Sequence, residues 1–117
     1  MAVESITLST LNRQIREATQ QAFPSPVWVV AEILELHTNR SGHCYMELIE
    51  KSETDNKIIA KSRATVWAFK FRILRPYFES TTGSQLQAGI KVLLRAEVSF
   101  HELYGLSLNI TDIDPGY

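Results

Sequence analysis

The sequence predicts a mainly β domain: a five-stranded barrel with an N-terminal helix and a short helix between strands three and four. Three observations carry this. Five segments alternate apolar and polar residues, the period at which neighbouring side chains point to opposite faces of a strand. One segment before them repeats its apolar residues at helical spacing and stops at Phe23-Pro24-Ser25-Pro26. A mixed aromatic and basic segment, Phe69 to Phe78, separates the third alternating run from the fourth.

The helix is expected over Thr7 to Ala22, with Ser9 as N-cap and Leu11, Ile15, Ala18 and Ala22 along one side. Pro24 and Pro26 end it, force an extended exit and delay the first strand until after them. That strand is Val27 to Leu36, with Val29, Ala31 and Ile33 inward and Trp28, Val30, Glu32 and Leu34 outward. Thr38 to Gly42 is a turn by composition. The second strand, His43 to Glu50, sends Cys44, Met46 and Leu48 inward and His43, Tyr45 and Glu47 outward. After a polar loop, Ser52 to Asn56, the third strand runs from Lys57 to Trp67. Its inward residues are Ile58, Ala60, Ala64 and Val66; Lys57, Lys61, Arg63 and Trp67 point outward. The short helix over Phe69 to Phe78 is expected to break at Pro76, with a connection reaching Gly89. Ile90 to Phe100 is the fourth strand, with Ile90, Val92, Leu94, Ala96 and Val98 inward. A turn at His101 to Gly105 leads to the fifth, Leu106 to Ile113, with Leu106, Leu108 and Ile110 inward. Five strands with a helix between the third and fourth is the element order of an OB-fold.

At 117 residues the chain is one domain, large enough to fold without disulfides or metal. The single cysteine, Cys44, excludes an internal disulfide. No apolar run approaches the roughly 20 residues that span a bilayer, and residues 1–10 lack the features of a secretory signal. A cytoplasmic protein without membrane contact is the expectation. The net charge is −1, from 12 basic and 13 acidic residues, which excludes a strongly basic binder. The charge is nevertheless uneven. Lys57, Lys61, Arg63, Lys70, Arg72 and Arg75 fall in one stretch without an acid, which allows a local basic face.

Catalytic and metal chemistry find no support. His37, His43, Cys44, His101, Asp112 and Asp114 show no zinc or EF-hand spacing. There is no P-loop and no G-x-S-x-G, and Ser41-Gly42-His43 reads as turn chemistry. No catalytic residue, metal ligand or cofactor is therefore expected. Nucleic-acid binding is the positive signal. OB-folds bind oligonucleotides on the face of strands two and three, between the loops joining strands one to two and four to five. Such a face needs bases that track phosphate and aromatics that stack on nucleobases. The candidates are Tyr45; Lys57, Lys61, Arg63 and Trp67; Arg40 and His43 at the first loop; and His101 and Tyr104 at the second. The plain alternatives are that Trp67 covers a barrel end, that Lys57 and Lys61 form a solvated edge, and that Tyr45 packs on Trp67.

Several motifs, taken in order, resemble the N-terminal domain of the exodeoxyribonuclease VII large subunit. Leu11-Asn12-Arg13-Gln14-Ile15-Arg16 matches that family's helix. Trp28-Val29 with Glu32-Ile33 matches its WVxGEI strand, and Gly42-His43 with Tyr45 its GHxYF. Gly89 to Leu93 resembles its DGxKVLV, Val98-Ser99 and Gly105 its VSLYEPRG, and Asp114-Pro115 its closing E-P. The resemblance implies the same OB-fold. It implies residues 1–26 as helix and connection, 27–115 as the binding domain, and 116–117 as the start of a linker to a catalytic region absent from this chain. It implies single-stranded DNA as ligand, the remainder of the large subunit and a small subunit as partners, and hydrolysis to oligonucleotides elsewhere. It supports Tyr45, Trp67 and Arg63 as binding positions. The sequence also departs from the family. Cys44 replaces an aromatic, Glu47 a threonine, and Leu103-Tyr104 a Pro-Arg pair, while a longer, more aromatic segment replaces the family's arginine-rich one after strand three. Two rival readings stand beside this one: an RNA- or tRNA-binding OB module, and an OB domain used mainly for subunit contacts.

Overall fold

A computed structural model describes residues 3–117. The elements are α1 (Leu8–Ala22), β1 (Val27–Thr38), β2 (Cys44–Lys51), β3 (Ile58–Val66), α2 (Ala68–Thr82), β4 (Lys91–His101) and β5 (Gly105–Asp114). The strands close into the five-stranded barrel that the sequence predicts, in the order β1-β2-β3-β5-β4. β1 is long because it serves two neighbours. Val27 to Glu32 pair with β4, and Glu32 to Thr38 pair with β2. Antiparallel pairing joins every pair of neighbours except β3 and β5, which run parallel through Ala64↔Leu108 and Thr65↔Asn109.

The core fills from the alternating positions. Ile33, Cys44, Met46, Leu48, Val66, Val92, Leu94, Ala96 and Ile110 are buried inside the barrel. α2 plugs one end with Phe71, Leu74 and Phe78, which share a face at helical spacing. Burial pushes the Cys44 thiol up to about 11, against a smaller opposing pull from Arg75, so the cysteine is an inert core residue.

Several expectations need correction. The N-cap of α1 is Thr7, not Ser9: the Thr7 hydroxyl accepts the Thr10 N–H at 3.2 Å. α1 buries no residue; Leu11 and Ile15 stay exposed, and the helix rests on the β4–β5 hairpin. The Asn12 amide donates to the Glu102 carbonyl at 2.9 Å, and Arg16 pairs with Glu102 at 2.6 Å. Pro76 does not end α2 but lies inside it. Both Pro76 and Arg72, whose carbonyl loses its helical partner, face solvent, so water can take the missing bond. The helix instead stops at Gly83, in the left-handed region at φ 73°, whose N–H bonds the Glu79 carbonyl at 2.9 Å. Ile58, Ala60 and Leu106, inward by their pattern, are exposed. β3 pairs with β5 only at Ala64 and Thr65, so the start of β3 has no strand on its second side. Leu106 lies beside the hairpin turn, where β5 pairs only with β4.

Candidate nucleic-acid interface

The outer face of β2 and β3 forms the floor of a groove of about 510 Å3. Tyr45 and Glu47 come from β2, Arg63 and Thr65 from β3, and Trp67 from the start of α2. Glu35 and His37 of β1 form one wall, and Tyr104 of the β4–β5 hairpin stands on the other. Period-2 alternation accounts for the floor, since Cys44, Met46, Ala64 and Val66 between these residues are buried.

Each wall is fixed by local hydrogen bonds. In the β1–β2 turn the Asn39 N–H donates to the His43 carbonyl and the His43 N–H to the Asn39 side-chain oxygen, both at 3.0 Å. The Asn39 amide also donates to the Tyr45 hydroxyl at 3.3 Å, tying the turn to the floor. Gly42 sits at φ 88°, where a β-carbon would be strained and would press on Ala68 at 3.4 Å. The His43 imidazole meets the Trp67 indole edge-on at 4.9 Å, and its Nδ1 accepts the Ala68 N–H at 2.9 Å. Trp67 is the N-cap residue of α2 and offers no side-chain cap, so the imidazole supplies it. In the opposite hairpin His101 stacks on Tyr104 at 4.6 Å, and its Nδ1 accepts the Leu103 N–H at 3.0 Å. The Arg63 guanidinium donates to the Tyr104 carbonyl at 3.0 Å, joining floor to hairpin.

The charge pattern is mixed. Lys61 pairs with Glu47 at 2.8 Å. That hydrogen bond and charge, with help from Glu35, raise the Lys61 pKa, so the ammonium is held charged but partly occupied. Arg63 is exposed and retains donors beyond the one given to Tyr104. Of the sequence-predicted residues, Tyr45, Arg63, Trp67 and Tyr104 line the groove together, His43 and His101 brace its aromatics, and Lys61 meets it through Glu47. Arg40 is exposed in the β1–β2 turn, outside the lining. Lys57 precedes β3, at the opposite end of that strand from the groove. Tyr45 and Trp67 do not pair; Tyr45 neighbours His37 instead, with ring centroids at 5.7 Å.

Sequence reasoning missed Glu35 and His37. The expected first strand ended at Leu36, and its alternation put Glu32 and Leu34 on the outer face. The register breaks between Ile33 and Glu35, a bulge that turns Glu35 and His37 to the Tyr45 side. The available signal is a change of phase: Ile33 and Leu34 are apolar side by side, after which Glu35 and His37 are polar with apolar Leu36 between them. Among the described residues no three His, Cys, Asp or Glu side chains gather to hold a metal ion. Among those residues no helix is long and apolar enough to cross a membrane.

The exodeoxyribonuclease 7 large subunit of Deinococcus radiodurans is 37% identical to this chain over 116 residues, 96% of this chain and 27% of that protein. The exodeoxyribonuclease 7 large subunit of Rhodopirellula baltica is 34% identical over 61 residues, 52% of this chain and 14% of that protein. The chain thus spans well under half the length of either curated relative. The dimeric N-terminal domain of the PriB protein from Thermoanaerobacter tencongensis aligns over 79% of this chain and 96% of its own, at 14% identity and a TM-score of 0.47. The family described as OB-fold nucleic acid binding domain matches residues 6–114, the whole of the barrel and nearly all that precedes it. With five strands closed in the order β1-β2-β3-β5-β4 around a core capped by α2, the chain belongs to that OB-fold nucleic acid binding family.

Proposed function

We propose that this domain holds single-stranded DNA in the β2–β3 groove as part of an exodeoxyribonuclease VII large subunit. Hydrolysis to oligonucleotides then falls to a region outside this chain, with a small subunit as further partner, and a cytoplasmic location follows from that assignment. One observation carries the reading: Tyr45, Trp67 and Tyr104 surround a single groove with Arg63 on its floor. Aromatic faces accept any unstacked base, and a neighbouring guanidinium tracks the phosphates. The similarity to two exodeoxyribonuclease 7 large subunits points to DNA as the ligand and to a nuclease as the parent protein. In this reading Arg63 contacts phosphate first and Lys61 second, since Glu47 already holds Lys61. Arg40 and Lys57 act only on strands long enough to leave the groove.

Anisotropy of labelled single-stranded DNA, the same sequence as RNA, and a DNA duplex tests this. Single strands are expected to bind more tightly than duplex, whose bases are already stacked, and DNA at least as tightly as RNA. Duplex binding equal to single-strand binding, or binding indifferent to loss of Tyr45 and Trp67, would remove the groove as the site.

A further inference from the structure

The chain has three histidines, and all three lie against aromatics of this one groove. Two of them share a device. His43 and His101 each accept a backbone N–H at Nδ1, at 2.9 and 3.0 Å, while the ring braces an aromatic wall. We propose that His43 and His101 are positioning residues that work as neutral imidazoles, so that protonation loosens the groove and weakens strand binding. The inference rests on the single-strand reading and adds proton linkage to it.

The chemistry is that of one lone pair. An imidazole nitrogen that accepts a hydrogen bond carries no proton, and the tautomer is fixed with the proton on Nε2. Imidazolium has N–H at both positions. Its Nδ1–H would then face a backbone N–H, and the bond must break. For His43 the donor is the first amide of α2, on Ala68, which is buried, so water cannot readily replace the lost partner. The break would free the imidazole from α2 and release the edge contact that sets the Trp67 plane. For His101 the donor sits on exposed Leu103, where water can substitute, so its contribution is smaller.

The surrounding charges decide what else acidification does. Near His43 are Arg40 in the same turn, the Tyr45 phenol and Lys70 in the first turn of α2. Near His101 are Glu102 and Tyr104, Arg63 reaching the Tyr104 carbonyl, and Arg16 through its pair with Glu102. His37 differs from both. It packs beside Tyr45, with Glu35 and Glu47 lining the same groove, and no backbone amide bonds its ring. Its protonation adds positive charge where phosphate would pass and strengthens binding. Acidification therefore has two opposed effects, and a variant must separate them.

His43→Asn does so. The asparagine oxygen stands in for Nδ1, accepts the Ala68 N–H and does not titrate. In a Trp28→Phe background Trp67 is the only indole, so its emission reports the brace without any ligand. Between about pH 8 and about pH 5, the range in which histidine changes charge, Trp67 emission is expected to titrate in the parent and to stay flat in His43→Asn. Over that range the affinity of His43→Asn for a labelled single-stranded DNA, relative to the parent, should start below parity, because the ring that meets Trp67 is gone, and should rise about fivefold, the factor corresponding to one hydrogen bond. His43→Ala, lacking both ring and acceptor, should bind more weakly than His43→Asn at the upper end of the range. Thermal unfolding checks that the variants are folded. Should His43→Asn fail to fold, the Ala68 amide resonance of the parent replaces it, and must shift together with the His43 ring. Equal Trp67 titration in parent and His43→Asn, a flat affinity ratio, or an Ala68 amide indifferent to pH would overturn the proposal. If no variant binds DNA at any pH while Trp67 titrates as expected, the single-strand reading fails and the positioning role stands.

Discussion

Glu47→Gln is the most informative single change at the groove. The charge of Glu47 faces the floor, and its carboxylate holds the Lys61 ammonium at 2.8 Å. The neutral amide keeps the size of the side chain and gives up the ion pair. Lys61 is largely exposed, so it can swing toward a phosphate once released. Each cation that displaces a counterion from a single strand contributes about −0.7 to the slope of log affinity against log salt. One liberated lysine should therefore steepen the slope by about 0.7, and the advantage of Glu47→Gln should shrink roughly threefold between about 50 and about 200 mM salt. Anisotropy titrations at four salt concentrations within that range give the slope. Loss of the Glu47 charge alone would also help binding, so Glu47→Gln with Lys61→Ala is the necessary control. The double variant should return to the parent slope. An unchanged slope in Glu47→Gln, or an equally steep slope with Lys61 removed, would refute the idea that Glu47 restrains a phosphate contact.

Replacing Tyr45 or Trp67 by Ala should each cost on the order of 1–3 kcal/mol in single-strand binding. Leu94→Ala, in the core, should instead cost about 2–5 kcal/mol in thermal or denaturant unfolding; heavy destabilisation of both aromatic variants with binding intact would make the pair mere packing. Glu79 accepts the Leu86 N–H at 2.9 Å, and this bond, with Arg75 beside it, holds its carboxyl below the ordinary 4.5. A carboxyl lowered in the folded state stabilises above its ordinary pKa and loses that contribution as pH falls through the lower folded value. Glu79→Gln should therefore lower the melting temperature at neutral pH, with the difference fading below pH 4.5; a pH-independent difference would contradict this. Finally, the purified chain should leave single-stranded DNA intact with or without divalent metal, and acid-soluble nucleotide release that tracks the pure protein would contradict that.

Sequence alone determined the element order, the strand phases and hence most of the groove. Alternation through Val29-Ala31-Ile33, Cys44-Met46-Leu48 and Val92-Leu94-Ala96 fixes which side faces the barrel, because a strand has no other way to bury every second residue. The same phases turn Tyr45 and Arg63 outward, and the break at Pro24 and Pro26 separates α1 from the barrel. Only the tertiary structure decided where alternation fails. The break after Ile33 brings Glu35 and His37 to the groove, and a second shift, opposite Arg95 and Ala96, lets Ile110 and Ile113 both turn inward. Ile58 and Leu106 read as core by pattern, yet no strand covers them on a second side. Pro76 reads as a breaker, yet its lost bond falls on the solvent side of α2. The Nδ1 bonds of His43 and His101 join residues to backbone set by two separate loops, and Lys61 meets Glu47 only through the β2–β3 register. Periodicity is a local property and can be read from neighbours in the chain. Strand coverage, bulges and imidazole partners depend on residues brought together by closure of the barrel.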